Sequence, residues 1–245
     1  MNFLTMEKKS MFKNNIYLSS GMFNADTNLY NACLAKYLES KKHRCYLPQR
    51  DGLSVAKLNS YLQKHYPKIA NEVSCYIPYY FDLGCGMRDA IAVVANMDDP
   101  VDIGMTVEVS YASIVNLPVV GVRTDIKSPF GNVNDLISIN PFPVMQCDVY
   151  LATQPFNGEY KDIMRHLDNI FDTIEASVDQ LIKIKSNNMT HSKNPVIINI
   201  LKASEILFDG IKDIHTEAAI EKVVKRYLAH KEFFDSIVPK AIPEL

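Results

Sequence analysis

Several features that mark common protein classes are missing from this chain. Its five cysteines, Cys33, Cys45, Cys75, Cys85 and Cys147, are odd in number and irregularly spaced, with no CxxC pair. That excludes a paired-cysteine zinc site and reads as reduced thiols in a cytosol. No stretch approaches the ~18 uninterrupted apolar residues of a membrane span. Residues 1–15 include Phe3, Leu4, Met6, Met11 and Phe12, but Glu7, Lys8, Lys9 and Lys13 interrupt them, so the apolar core of a signal peptide is absent. A soluble, cytoplasmic protein without membrane contact is expected. Positive charge is not in excess either. Lys plus Arg number 26 against 28 Asp plus Glu, for a formal charge of −2, which offers no global attraction for nucleic acid. There is no internal repeat. The six histidines are scattered, and His166 and His230 stand alone in helical stretches, so no metal is expected.

What is present is ordinary globular composition, 47% hydrophobic and 22% charged. A chain of 245 residues can hold one large domain, or one of about 150 residues plus an appendage. Residues 15–20 form a short apolar run ending at Gly21, followed by helical spacing of Leu29, Ala32, Cys33, Ala35, Tyr37 and Leu38. Residues 44–47 make a second strand, closed by Pro48 and the polar loop 49–52. Residues 55–66 read as a helix, and the Tyr- and Pro-rich segment up to Tyr80 has no clear assignment. Strands follow at 90–95 and 117–123, with a further one within 144–151. Strands alternating with helices predict a parallel sheet between helical layers. Amphipathic helices are expected over 160–185, 196–208 and 217–234.

The segment from Asp102 to Ala112, with Glu108 within it, follows the apolar strand and the acidic turn Asp98-Asp-Pro100. Glu108 thus falls near a helix N-terminus at the carboxyl edge of the sheet, where open α/β sheets bind ligands. An acid in the first turn of any helix opposes its dipole by roughly 0.3–1 kcal/mol, so position alone does not separate chemistry from a dipole partner. What separates them is the company Glu108 keeps across the first half of the chain.

Four segments together resemble the nucleoside 2-deoxyribosyltransferase family: Ile16-Tyr-Leu with Gly21 and Phe23, Leu47-Pro-Gln-Arg-Asp-Gly52, the stretch from Asp102 through Gly104 and Glu108 to Tyr111-Ala112, and Val120-Gly-Val-Arg-Thr-Asp125. The resemblance spans roughly residues 14–126. It implies a flavodoxin-like or Rossmann-like fold of about five parallel strands with helices on both faces, occupying 14–158 after a tail at 1–13. Residues 159–245 then form a helical C-terminal extension, covering the sheet or making a subunit interface.

By the same resemblance Glu108 is a nucleophile that takes the deoxyribosyl group as an ester, splitting one displacement into two, as retaining glycosidases do. Asp102 would protonate the leaving base, Asp82 would position the sugar, and Tyr17 would orient Glu108 by a hydrogen bond. Gln49, Asp51, Gly21, Phe23 and Gly104 would line the substrate site. Asn134, with Asn132 and Asn140 as rivals, would reach it from a neighbouring subunit of a homo-oligomer. Substrates would be deoxynucleosides and free nucleobases, with no cofactor. The chain departs from the commoner family pattern at Ser110 and in the residues after Gly21, so its base pocket can differ. The nearest rival is a hydrolase using the same Glu on deoxynucleosides or their 5′-monophosphates. Ser19 and Ser20 would be available for phosphate, but no Arg lies within 17–37. A non-catalytic nucleotide sensor, or a flavodoxin-like domain with incidental acids, would not need the three carboxylates. The latter also lacks its Gly-rich phosphate loop, since Gly84-Cys-Gly86 precedes a strand.

Overall fold

The protein is described by a computed structural model over residues 12–125, 140–153, 158–185 and 193–238. Its strands are β1 (Asn15–Ser19), β2 (Arg44–Tyr46), β3 (Ala90–Asn96), β4 (Val119–Arg123) and β5 (Val149–Ala152). They form one sheet of order β2-β1-β3-β4-β5, with every neighbouring pair parallel. This is the flavodoxin-like arrangement, and the run of Val and Ala in β3 and β4 fits strands covered on both faces. The helices are α1 (Ala25–Ser40), α2 (Pro48–Asp51), α3 (Val55–His65), α4 (Ala70–Phe81), α5 (Ile103–Ile114), α6 (Pro141–Val144), α7 (Tyr160–Ile184), α8 (Pro195–Phe208), α9 (Glu217–Ala229) and α10 (Lys231–Ile237). No helix among the described residues is long and apolar enough to cross a membrane.

The chain divides into two units. The sheet unit comprises Phe12–Asp51 and the described part of 86–192. Side chains of a strand alternate between faces. Ile16 and Leu18 of β1, Ala92 and Val94 of β3, and Val120 and Val122 of β4 all enter one apolar core with Leu34, Ala35 and Leu38 of α1. The same core takes Ile170, Phe171, Ile174, Val178 and Leu181, the buried stripe of α7. Full burial of each Val, Leu, Ile or Phe among them contributes about 1.5–3 kcal/mol. The opposite face of the sheet is covered by α5, which packs on β1, β3 and β4.

The helical unit comprises Gly52–Cys85 and 193–238. Here α3 packs on α4 and α9, and α8 packs on α4 and α9. Phe81 meets Phe208 edge-on at 4.9 Å between ring centroids. Gly84 lies so close to α8 that an added Cβ would come within 2.3 Å of the Ser204 side chain. A π-helical turn, Asp82–Gly86, follows α4.

The linear division expected from the sequence therefore differs from the spatial one. The stretch 159–185 is part of the sheet unit, because the apolar stripe of α7 covers the face that β3 and β4 would otherwise expose. Residues 52–85, expected within the α/β domain, group instead with 193–238. The helix expected over 217–234 is two helices that meet at His230, and the change of direction lets Phe234 stack on Tyr227 at 4.6 Å.

Candidate active site

In a parallel sheet of this order the chain runs outward from β1 to β2, then returns past β1 to β3. The crevice between the carboxyl ends of β1 and β3 is the topological switch point, where ligands of such sheets bind. The segments that flank it are Ser20–Asn24, leading from β1 to α1, and 97–102, leading from β3 to α5.

Asp102 starts α5. Its backbone is extended, and its Oδ1 accepts a hydrogen bond from Met105 N at 2.7 Å, which caps the helix. The acid serving the N-terminus of α5 is thus Asp102. Glu108 belongs to the second turn, beyond the position at which a carboxylate acts mainly as a dipole partner. Its carboxylate reaches back to β1. Tyr17 Oη donates to Glu108 Oε1 at 2.7 Å, and Ser19 Oγ donates to Oε2 at 2.5 Å. Tyr17 and Ser19 are two residues apart, so they share the face of β1 opposite to Ile16 and Leu18. Both are buried, whereas Glu108 is only partly covered. The Tyr17 ring is held by stacking on Tyr46 at 5.0 Å, and Gly86 leaves room for both rings, since a Cβ there would lie 2.9 Å from Tyr17.

Gly21 and Gly104 border the Asp102 carboxylate. A Cβ on Gly21 would lie 3.6 Å from Asp102 Oδ2, and one on Gly104 would lie 3.0 Å from Oδ1. A side chain at Gly104 would therefore crowd the carboxylate, whereas one at Gly21 would be in ordinary contact with it. Phe23, in the same loop as Gly21, is 88% exposed.

A set of bonds braces the neighbouring loop. Asp98 Oδ1 accepts from Thr124 N at 2.6 Å and Asp125 N at 3.0 Å, and its Oδ2 accepts from Thr124 Oγ1 at 2.7 Å. Asp99 N donates to Asp125 Oδ2. Arg123, almost fully buried, places its Nε and Nη2 on Asp125 Oδ1 at 2.9 and 2.8 Å. The Arg-Thr-Asp end of the fourth segment therefore fastens the loop between β3 and α5 to the end of β4.

The remaining expected residues are placed as follows. Gln49 Nε2 donates to Asn28 O at 2.9 Å and its Oε1 accepts from Asn31 Nδ2 at 3.3 Å, so both ends of the amide engage α1. Asp51 accepts from Leu47 N at 2.9 Å and is paired with Arg50, which also reaches Glu39 at 2.8 Å. Those bonds give Asp51 a structural task in the turn after β2. Asp82 ends α4 and opens the π-helical turn, within the helical unit. Asn132 and Asn134 lie outside the described residues. Asn140 caps α6 by accepting from Phe142 N.

Among the described residues one side-chain group has metal-ligand composition: His43, Glu175 and Asp179, whose donor atoms lie within 4.8 Å of one another. Lys41 already lies 3.8 Å from Glu175, and His43 precedes β2, at the amino edge of the sheet, opposite the switch point. We assign it no part in the chemistry. A surface depression of about 430 Å³ beside β5, lined by Tyr150, Thr153, His166 and Asn169 among others, contains no carboxylate.

Ser19 is the residue whose contact with Glu108 sequence reasoning missed. Alternation from Tyr17 was the available signal, because a residue two positions along a strand shares its face. No family model matches the chain, and no curated protein matches its sequence.

Proposed function

We propose that the chain is a nucleoside 2-deoxyribosyltransferase, which exchanges the base of 2′-deoxyribonucleosides through a deoxyribosyl ester on Glu108, in cytoplasmic nucleoside salvage. The observation that carries this reading is the 2.7 Å bond from Tyr17 to Glu108, a pair 91 residues apart in sequence that meets beside the switch point. In the first half-reaction a Glu108 oxygen bonds to the anomeric carbon as the bond to the base breaks, and the base leaves with a proton from Asp102. In the second, a free base attacks that carbon and gives its proton to Asp102, and the electron pair of the ester bond returns to Glu108.

Charge supports unphosphorylated substrates. Glu108, Asp102, Asp98 and Asp125 crowd this edge of the sheet, and Arg123 is committed to Asp125. Ser19, which a phosphate reading would enlist, is committed to Glu108. The proposal extends to a homo-oligomer in which Asn134 serves a neighbour's site. Mixing Glu108→Ala with Asn134→Ala subunits then restores part of the activity.

The deciding experiment incubates the protein with deoxyinosine, with and without adenine. Deoxyadenosine formation identifies the transferase, and hypoxanthine release without base exchange identifies the hydrolase, with water as the acceptor. A 2-fluoro sugar substrate should leave a glycosyl ester on Glu108, detected by mass spectrometry. Neither reaction and no ester would overturn the proposal in favour of a binding protein.

A further inference from the structure

We infer that Ser19 is a positioning residue that sets how fast the glycosyl ester on Glu108 is released, an assignment that rests on the transferase reading above. The geometry is specific. Both oxygens of the Glu108 carboxylate are held by hydroxyl donors from one strand, Tyr17 on Oε1 and Ser19 on Oε2. Two donors fix both the rotation of the carboxylate plane and its distance from β1, which a single bond would leave free to swing. Ser19 is buried, so its hydroxyl meets this acceptor in a setting where a charge-assisted bond is stronger than in water.

The direction of the effect follows from charge. A hydroxyl donor stabilises a carboxylate anion more than the neutral ester made from it. When the ester forms, the C1′–N bond breaks as a C1′–O bond is made, and negative charge leaves Glu108, so the Ser19 bond weakens. When the acceptor base attacks, the C1′–O bond breaks, its electron pair returns to the carboxylate and the Ser19 bond regains its strength. Ser19 therefore lowers the barrier to release. In the first half-reaction it positions the nucleophile but also lowers its reactivity, and these effects oppose each other. Loss of the hydroxyl should slow release far more than ester formation.

The test compares wild type with Ser19→Ala on deoxyinosine plus saturating adenine, using rapid quenching and intact-protein mass spectrometry. In Ser19→Ala, kcat should fall about 10- to 100-fold, the range expected for a hydrogen bond to a charged group. KM should fall with it, leaving kcat/KM for deoxyinosine within a few-fold of wild type. The fraction of chains carrying the deoxyribosyl adduct should rise. Ser19→Cys, which is similar in size but a much weaker donor, should shift all three in the same direction, and thermal melts of both variants should stay close to wild type. Unchanged partitioning, or kcat and kcat/KM falling together without adduct, would overturn the assignment. The control is wild type itself: if it exchanges no base and forms no adduct, the transferase reading fails and takes this inference with it. If wild type does both and Ser19→Ala behaves like it, only the role of Ser19 falls.

Discussion

The two faces of β1 lie equally deep and carry opposite chemistry. Ile16 and Leu18 enter the apolar core under α1 and α7, while Tyr17 and Ser19, no less buried, turn their hydroxyls to one carboxylate from α5. An unpaired buried hydroxyl costs stability, so the second face is tolerable only because both hydroxyls find an acceptor. One side of a five-residue strand thus supplies cohesion, and the other holds the Glu108 carboxylate in place.

The largest expected effect tests the polar face. Glu108→Gln should reduce base exchange by about 10⁴-fold or more and abolish the glycosyl ester, because an amide is a poor nucleophile. The melting temperature should change little, since the Gln oxygen still accepts a hydroxyl bond. A variant that retains substantial exchange would remove the reason to treat the two faces as different.

Next in size is Asp102, which caps α5 and is proposed to carry the proton. Asparagine caps as well as aspartate but cannot donate that proton. Asp102→Asn should therefore keep wild-type stability while slowing purine exchange about 10²- to 10⁴-fold. Asp102→Ala should in addition lose about 0.5–2 kcal/mol in denaturant titrations. Equal activity in wild type and Asp102→Asn would leave only the cap.

The apolar face should respond in the opposite sense. Ile174→Ala, deep in the α7 stripe, should cost about 2–5 kcal/mol by chemical denaturation and leave kcat per folded molecule unchanged.

The smallest effect asks whether burial or chemistry distinguishes the faces. Cys45 lies in the apolar core, and Cys147 lies against Gly121 on the other side of the sheet. Burial pushes both thiols up to about 12. At pH 8 each is then roughly one part in ten thousand thiolate, and lowering the pH reduces that further. Alkylation of the native protein, followed by mass spectrometry, should label exposed Cys75 and spare both Cys45 and Cys147. Unequal protection of the two would show that the faces differ in packing as well as in side-chain type.

The central strands β1, β3 and β4 were legible because they are buried on both faces and so read as apolar runs, whereas β5 at the sheet edge is less covered and was placed only within 144–151. The helix α4 was not legible, because Pro78 lies inside it and tyrosines obscure its period. Domain membership was hidden for a different reason: periodicity reports that α7 has an apolar stripe but not what covers it. At the site, the Tyr17–Glu108 contact was expected from the resemblance. Ser19 was visible only as a possible phosphate contact, since the register of α5 over β1 is a tertiary fact. That Gln49 bonds Asn28 and Asn31 of α1, and that Asp51 bonds Leu47 N and Arg50, was not legible, because those contacts depend on how the turn after β2 meets its neighbours.

The Asp98 brace has a consequence for motion. Backbone amides just past the end of a strand normally exchange their hydrogens with water quickly, for want of a neighbouring carbonyl. Here side-chain carboxylates take that place: Asp98 receives the amides of Thr124 and Asp125, and Asp125 receives that of Asp99. In deuterated solvent these amides should exchange with the slowness of the sheet itself. The turn before α5 then belongs to the rigid scaffold.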